Sequence, residues 1–363
     1  MKKFLALVLA IAMLATFAAC GEAKEAEYKL GVGTVVSLDS SAAAADGKPA
    51  TAQADTTVAT VVLDADGKIV ACDIDVAQTK VSVADGVVDK ANADLRTKTE
   101  KKGDYGMSAA VNYGMDWNND GVVKEWYEQA AVFENYVVGK TADEVAATAT
   151  KEVEGKGYII PAVDELLTAG CTIQVNEFIQ AIVAACKDDQ AKTFTAAADS
   201  FKLGLKMVTD VAESTDATDD AAASVTLYSD YSAAVVDADG KVIAAIVDAV
   251  QPKVAVNKDG TLGDKTYKNT KRALKADYGM AAAVNYGMDW NNDGVVKEWY
   301  EQSKIFTDYV VGKTADEVKA IKTKEVEGKG YIIPADEDLL TAGCTIQVSS
   351  YMTVIAGAMA NAD

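Results

Sequence analysis

Residues 166–175 read LLTAGCTIQV, and residues 339–348 read LLTAGCTIQV again, 173 positions later. The recurrence extends far beyond this stretch. YKLGVG at 28 matches FKLGLK at 201, and VVLDADGKIVA at 61 matches AVVDADGKVIA at 234. VNYGMDWNNDGVVKEWYEQ at 111 is identical at 284, and KEVEGKGYIIPA at 151 recurs at 324. All keep the same offset. A period of this length is too long for a solenoid and predicts two tandem homologous domains. They are expected over 28–186 and 201–363, joined by the polar, Ala/Asp-rich linker 187–200.

Hydropathy patterning within one unit predicts an α+β fold, a small antiparallel sheet packed with helices. KLGVGTVVSL reads as a strand. Two β-branched runs around Asp66-Gly67 read as a hairpin. A charged loop follows over 85–104, in which Lys98, Lys101 and Lys102 read as solvated. GVVKEWYEQAAVFENYVVGK reads as a helix with Val123, Trp126, Ala130, Phe133 and Val137 on one face and Gly139 as its stop. Thr141 with Glu144, and Thr314 with Glu317, form capping boxes. YIIPA is a short extended piece. A last helix is expected to cap at Asn176, or at Ser349 or Ser350 in the second unit, burying Phe178, Ile179, Ile182, Val183 and Cys186.

Lys+Arg is 35 against Asp+Glu 55, a net charge of −20. That balance disfavours nucleic acid and anionic membrane surfaces as direct partners. There is no histidine, which removes Ser-His-Asp and Cys-His nucleophile systems, His-containing zinc sites and His-ligated haem. No CxxC pair is present. Redox chemistry here would need an organic cofactor.

The N-terminus reads as a targeting segment: Lys2 and Lys3, the apolar run FLALVLAIAML, then ATFAAC. FAAC resembles a bacterial lipobox, with Phe17 where Leu is usual. It predicts a signal peptide over 1–19, lipidation of Cys20, a tether over 20–27 and a chain held on the outer face of the cell membrane. Cys171 and Cys344 recur in register. Cys72 and Cys186 do not, their counterparts being Ala245 and Met359, and the sequence leaves open whether those two form a disulfide.

In TAGCT, Gly170 and Gly343 permit positive φ. Thr172 and Thr345 place a hydroxyl shortly before a helix N-terminus, where a phosphate is favoured. The competing reading is a tight turn with a small buried thiol, Cys171 or Cys344, and a local Thr–backbone hydrogen bond. Tyr105, Met107, Tyr113, Met115, Trp117 and Trp126 cluster nearby and recur; they suit either a core or an aromatic-lined pocket, with Trp117 and Trp290 as the pocket candidates. In DWNNDG, Asp116, Asn118 and Asp120, and again Asp289, Asn291 and Asp293, hold the first, third and fifth places of an EF-hand-like Ca²⁺ loop. Tyr127 stands where the twelfth-position Glu belongs, so a metal-free polar turn competes.

The TAGCT segment resembles the flavin-attachment motif of the FMN-binding domain family, commonly Ser-Gly-Ala-Thr before Ile or Val and a helix. Both units, through DYGM, KEWYEQ and VVGKTADEV, also resemble the tandem domains of Gram-positive surface lipoproteins of flavin-based extracellular electron transfer. The resemblance implies FMN esterified to Thr172 and Thr345, two per chain, installed by an FMN transferase using FAD. It implies an electron carrier between a membrane donor and an extracellular redox partner, without substrate turnover of its own. The sequence departs from the motif at Ala169 and Ala342, at Cys171 and Cys344, and at Leu166 and Leu339, where Asp is frequent. The alternative expectation is a noncatalytic surface binding lipoprotein, Ca²⁺-stabilised and without flavin.

Overall fold

The computed structural model describes residues 25–108, 123–155, 157–281, 296–327 and 330–362. Cys20 and the signal segment lie outside the described residues, as do Asp116, Trp117, Asn118, Asp120, Asp289, Trp290, Asn291 and Asp293.

The first copy of the repeat runs β1 (Glu25–Ser37), β2 (Ala50–Leu63), β3 (Ile69–Ala84), β4 (Val87–Val88), α1 (Lys98–Lys101), α2 (Trp126–Val137), α3 (Ala142–Ala146), β5 (Thr150–Val153), β6 (Tyr158–Pro161), α4 (Asp164–Thr168), α5 (Asn176–Cys186) and β7 (Lys192–Ala197). The second runs β8 (Phe201–Asp210), β9 (Ala223–Thr226), β10 (Tyr228–Asp237), β11 (Val242–Val250), β12 (Lys253–Val256), β13 (Leu262–Thr266), α6 (Lys271–Leu274), α7 (Trp299–Tyr309), α8 (Ala315–Lys319), β14 (Thr323–Val326), β15 (Tyr331–Pro334), α9 (Glu337–Thr341) and α10 (Ser349–Asn361). The chain is thus mixed α and β, with several small antiparallel sheets.

The first sheet has the order β4-β3-β2-β1-β7. Its hairpin turns at Asp64–Lys68, as the β-branched runs predict, with Gly67 at φ 75°. The stretch 187–200 is not a bare linker: β7 lies inside it and pairs antiparallel with β1 from Glu25↔Ala197 to Leu30↔Lys192. The alternating Thr193, Phe194, Thr195 and Ala196 supply the pattern, which a composition-based reading passes over. In the second copy the sheet is split into β11-β10-β8 and β13-β12-β9. Pro252 stands where the first copy has Thr79. A proline has no N–H to give to a ladder, and its carbonyl instead accepts from the Leu227 amide at 2.9 Å.

The strands are buried on both faces. Along β10, Tyr231, Ala233 and Val235 enter one core cluster while Ala234 and Val236 enter another. This is the period of two of a pleated strand. The outer face of each sheet packs on helices. Val61, Leu63, Ile74 and Val76 meet Trp126, Phe133, Phe178 and Ile182 in the first copy. The inner faces pack on one another: Leu30, Val32, Val58 and Val62 meet Leu205, Met207, Tyr231 and Ile246. The result is helices, sheet, sheet, helices, with the central core shared by both copies.

Two backbone contacts between the copies mirror one another. The Ala217 amide donates to the Gly86 carbonyl at 2.8 Å, and the Ala44 amide to the Gly260 carbonyl at 2.9 Å. Ala44 and Ala217 are repeat equivalents, and the two glycines, 174 positions apart, sit in the corresponding turns after β3 and β12. Reciprocal contacts of this kind are the signature of a two-fold interface, here within one chain. A Cβ on Gly86 would fall 2.7 Å from Ala217 Cβ, and one on Gly260 2.4 Å from Ala44 Cβ.

The outer helix sits close to the sheet. A Cβ on Gly33 would fall 2.0 Å from the Ala181 carbonyl oxygen and 2.8 Å from Ala184 Cβ. At the equivalent places the second copy has Lys206 on the strand and Gly357 on the helix, so the small residue has changed sides. Gly33→Ala is therefore expected to lower stability by about 1–3 kcal/mol, the range for overpacking, read as a fall in the urea midpoint. Among the described residues no helix is long and apolar enough to cross a membrane. Cys72 and Cys186 are free thiols packed against the helix-side core.

Candidate functional site

Each copy holds a cavity at the same place, between the sheet edge, the first helix, the Trp-bearing helix and the loop after LLTAG. The volumes are about 330 Å³ in the first copy and about 470 Å³ in the second. Both fall in the range of small-molecule sites.

The loop that carries the threonine is set by a helix terminus. Gly170, at φ 83°, follows α4; its amide donates to the Leu167 carbonyl at 3.0 Å, and the Cys171 amide to the Leu166 carbonyl at 2.9 Å. These are the two bonds of a Schellman motif, which favours glycine at this position. Gly343, at φ 85°, repeats both bonds with Leu340 and Leu339. Sequence patterning alone did not reveal α4 or α9. Cys171 and Cys344 pack into the core beside Leu166 and Leu339, fully buried, and burial pushes both thiols up to about 12. Neither cysteine nor either glycine is among the cavity-lining residues.

The next residue faces the cavity. The Thr172 amide donates to Gln129 Oε1 at 2.8 Å, and its hydroxyl donates to the same oxygen at 3.3 Å. Thr345 does the same with Gln302, at 2.7 and 3.3 Å. Each Gln amide is oriented in turn by donating to the Lys124 or Lys297 carbonyl at 2.8 Å. The short backbone bond fixes the residue, while the hydroxyl bond is longer than the usual 2.7–2.8 Å for O–H···O. The Oγ1 atom therefore stays available for a new bond without loosening the loop.

Opposite stands a lysine. Thr97 caps α1 through the Glu100 amide in a capping box, and buried Asp75 accepts from the Thr99 amide at 3.2 Å. In the second copy Thr270 caps α6, and Asp248 accepts from the Arg272 amide at 2.9 Å. These anchors turn Lys98 inward, its ammonium 5.4 Å from the centroids of both the Tyr105 and Trp126 rings. Lys271 lies 5.4 Å from Tyr278 and 5.7 Å from Trp299 and donates to the Tyr228 hydroxyl at 2.9 Å. Burial lowers both lysine pKa values, opposed chiefly by Asp55 in one copy and Asp230 in the other. The expectation that Lys98 is a solvated loop residue is thus overturned. Its signal was the capping pair Thr97 and Glu100, which marks a short helix in the charged segment.

Trp126 and Trp299, with Met107 and Met280, complete the apolar wall. The described members of the recurrent cluster, Tyr105, Met107 and Trp126 with Tyr278, Met280 and Trp299, are therefore both core and lining, while Tyr113, Met115 and Trp117 and their counterparts lie outside the described residues. The last helices begin earlier than expected, by one residue in the first copy and by one or two in the second. Val175 and Val348 are the caps, without a side-chain bond, and the Val175 amide donates to the Ile159 carbonyl at 3.1 Å. Asn176 and Ser349 are freed to line the cavities.

The polar walls differ between copies. The first has Asp55 and Glu177, each already accepting: Asp55 from the Gln53 and Gln78 amides at 2.8 and 2.9 Å, Glu177 from the Thr57 hydroxyl at 3.1 Å. The second has Tyr228 and Ser350 at those places and adds Asp230, the equivalent of Thr57. Among the described residues no group of three or more acidic or thiol ligands could hold a metal ion. Both predicted Ca²⁺ loops lie outside them.

No family model matches the chain, and no curated protein and no solved structure matches it.

Proposed function

We propose that this chain is a lipid-anchored, extracytoplasmic electron carrier of two homologous FMN-binding units, with FMN esterified to Thr172 and Thr345. The observation that carries the reading is the recurrence, around an equivalent cavity, of a backbone-fixed threonine hydroxyl, a Trp/Tyr/Met wall and an inward lysine. Such a wall suits a flat heteroaromatic ring, and a cation beside it suits a ligand that gains negative charge. FMN, when bound, supplies reversible electron uptake and release. Attachment would join Thr Oγ1 to the FMN phosphorus of FAD as the pyrophosphate bond breaks, with AMP leaving and the hydroxyl proton passing to solvent. A covalent link suits a surface protein, since a dissociated cofactor would diffuse away. Gln129 and Gln302 would hold the esterified residue through its amide. The signal segment and Cys20 would provide the anchor.

The test is a denaturing gel of chain co-expressed with the transferase. A fluorescent flavin band is expected from the unaltered chain and none from Thr172→Ala with Thr345→Ala. A band that survives the double substitution overturns the assignment. The unlike polar walls of the two cavities favour a second reading, a surface binding protein with two different small ligands and no flavin. Calcium-dependent thermal stability in flavin-free protein would support it.

A further inference from the structure

Asp230 is the third residue of the central strand β10, paired with Ala249 on one side and Val208 on the other. Aspartate is depleted in strand interiors, and the first copy has Thr57 there. The residue is 6% exposed and lines the second cavity, and among the described residues its Oδ1 has no hydrogen-bond partner. A buried polar atom without a partner is costly and calls for an explanation. Asp55 and Glu177 in the first cavity already accept from protein donors. Lys271, beside Asp230, offers a donor to the same space.

We propose that the second cavity, unlike the first, selects a heteroaromatic ring bearing an N–H between two carbonyls. The Asp230 carboxylate accepts from that N–H, and Lys271 donates to a flanking carbonyl. The inference rests on the flavin reading, because the isoalloxazine ring carries such an imide edge, and it makes the two units unequal in how they hold their ligand. Ser350 and Tyr228 hydroxyls also face Asp230 and help keep its carboxylate in place.

The experiment uses full-length chain made without the transferase. It is titrated at pH 8 with lumiflavin and with 3-methyllumiflavin, followed by quenching of flavin fluorescence. Hydrogen bonds to charged groups contribute on the order of tenfold in affinity. One of two sites is expected to bind lumiflavin about tenfold tighter than the methylated ring, and the other to bind both alike. Asp230→Leu, which removes the acceptor, verified as folded by its near-ultraviolet spectrum, should reduce the preference to about twofold or less. Equal binding of both rings by the unaltered chain, or a preference that persists in Asp230→Leu, overturns this inference and leaves the flavin reading standing. No binding of either ring overturns both. The probe swap needs no variant, so a misfolded Asp230→Leu does not remove the test.

Discussion

Arg272→Ala is expected to destabilise the chain by about 3–5 kcal/mol, the cost of leaving a buried charge without its partner. The guanidinium lies 3.2 Å from Asp188, with side chains only 9% and 7% exposed. It donates through Nη1 and Nη2 to the carboxylate and through Nη2 to the Gln190 carbonyl at 2.8 Å. Asp188 also accepts from the Val32 amide at 3.1 Å on β1. The pair thus ties the end of α5 in the first copy to α6 in the second. The repeat does not preserve it: Thr99 and Asn361 stand at the equivalent positions. Urea denaturation would read the loss. Replacing both partners by apolar residues, as in Arg272→Met with Asp188→Leu, should recover much of it, since a well-packed apolar pair often does as well as a buried ion pair. The truncation penalty is mainly that of the orphaned carboxylate. A cost below about 1 kcal/mol for Arg272→Ala would mean that the pair behaves as a solvated one.

Asp230→Asn is expected to stabilise the ligand-free protein at pH 8 and to lose that advantage on acidification. Burial is the main cause that raises the Asp230 carboxyl to about 6, with Lys271 opposing it. A group whose pKa is raised on folding contributes stability that is fully present below its unfolded value, near 3.8. The contribution is lost as pH rises through the folded value. The window is therefore about pH 4 to 6, and the rise corresponds to about 3 kcal/mol at 1.36 kcal/mol per unit. Asparagine has no charge to bury, so the difference between variant and wild type should grow from pH 4 to pH 7 and then level off. Thermal unfolding across that range would show it. A difference independent of pH would mean that the carboxyl is not held above its usual range.

The same residue shows what a sequence can carry. Local signals were legible: the Asp66-Gly67 hairpin, the boxes at Thr141 and Thr314, and the apolar face of α2. Each depends on neighbours within a few positions. The threonines were legible as site candidates because glycine and a following helix constrain the loop. What stayed hidden depends on contacts across the fold. That Lys98 turns inward follows from Asp75, on another strand, holding the first turn of α1. That β7 completes the first sheet follows from the free edge of β1. That Cys171 is core, one of the two readings the sequence allowed, is decided by Leu166 across a helix end that the pattern DELLTAG only hints at. The face-to-face packing of the two sheets had one trace in the sequence, namely strands apolar at successive positions rather than alternate ones, as in VATVVL. Such runs mark strands buried on both faces. The exchange of Gly33 and Ala184 for Lys206 and Gly357 becomes readable only once strand and helix are known to touch.

The central claim is that Thr172 and Thr345 carry FMN. Its most direct test is the intact mass of the mature chain co-produced with an FAD-using transferase. Two FMN-ester increments are expected for the unaltered chain and one for either single Thr→Ala variant. An unmodified mass in the presence of active transferase would contradict the account.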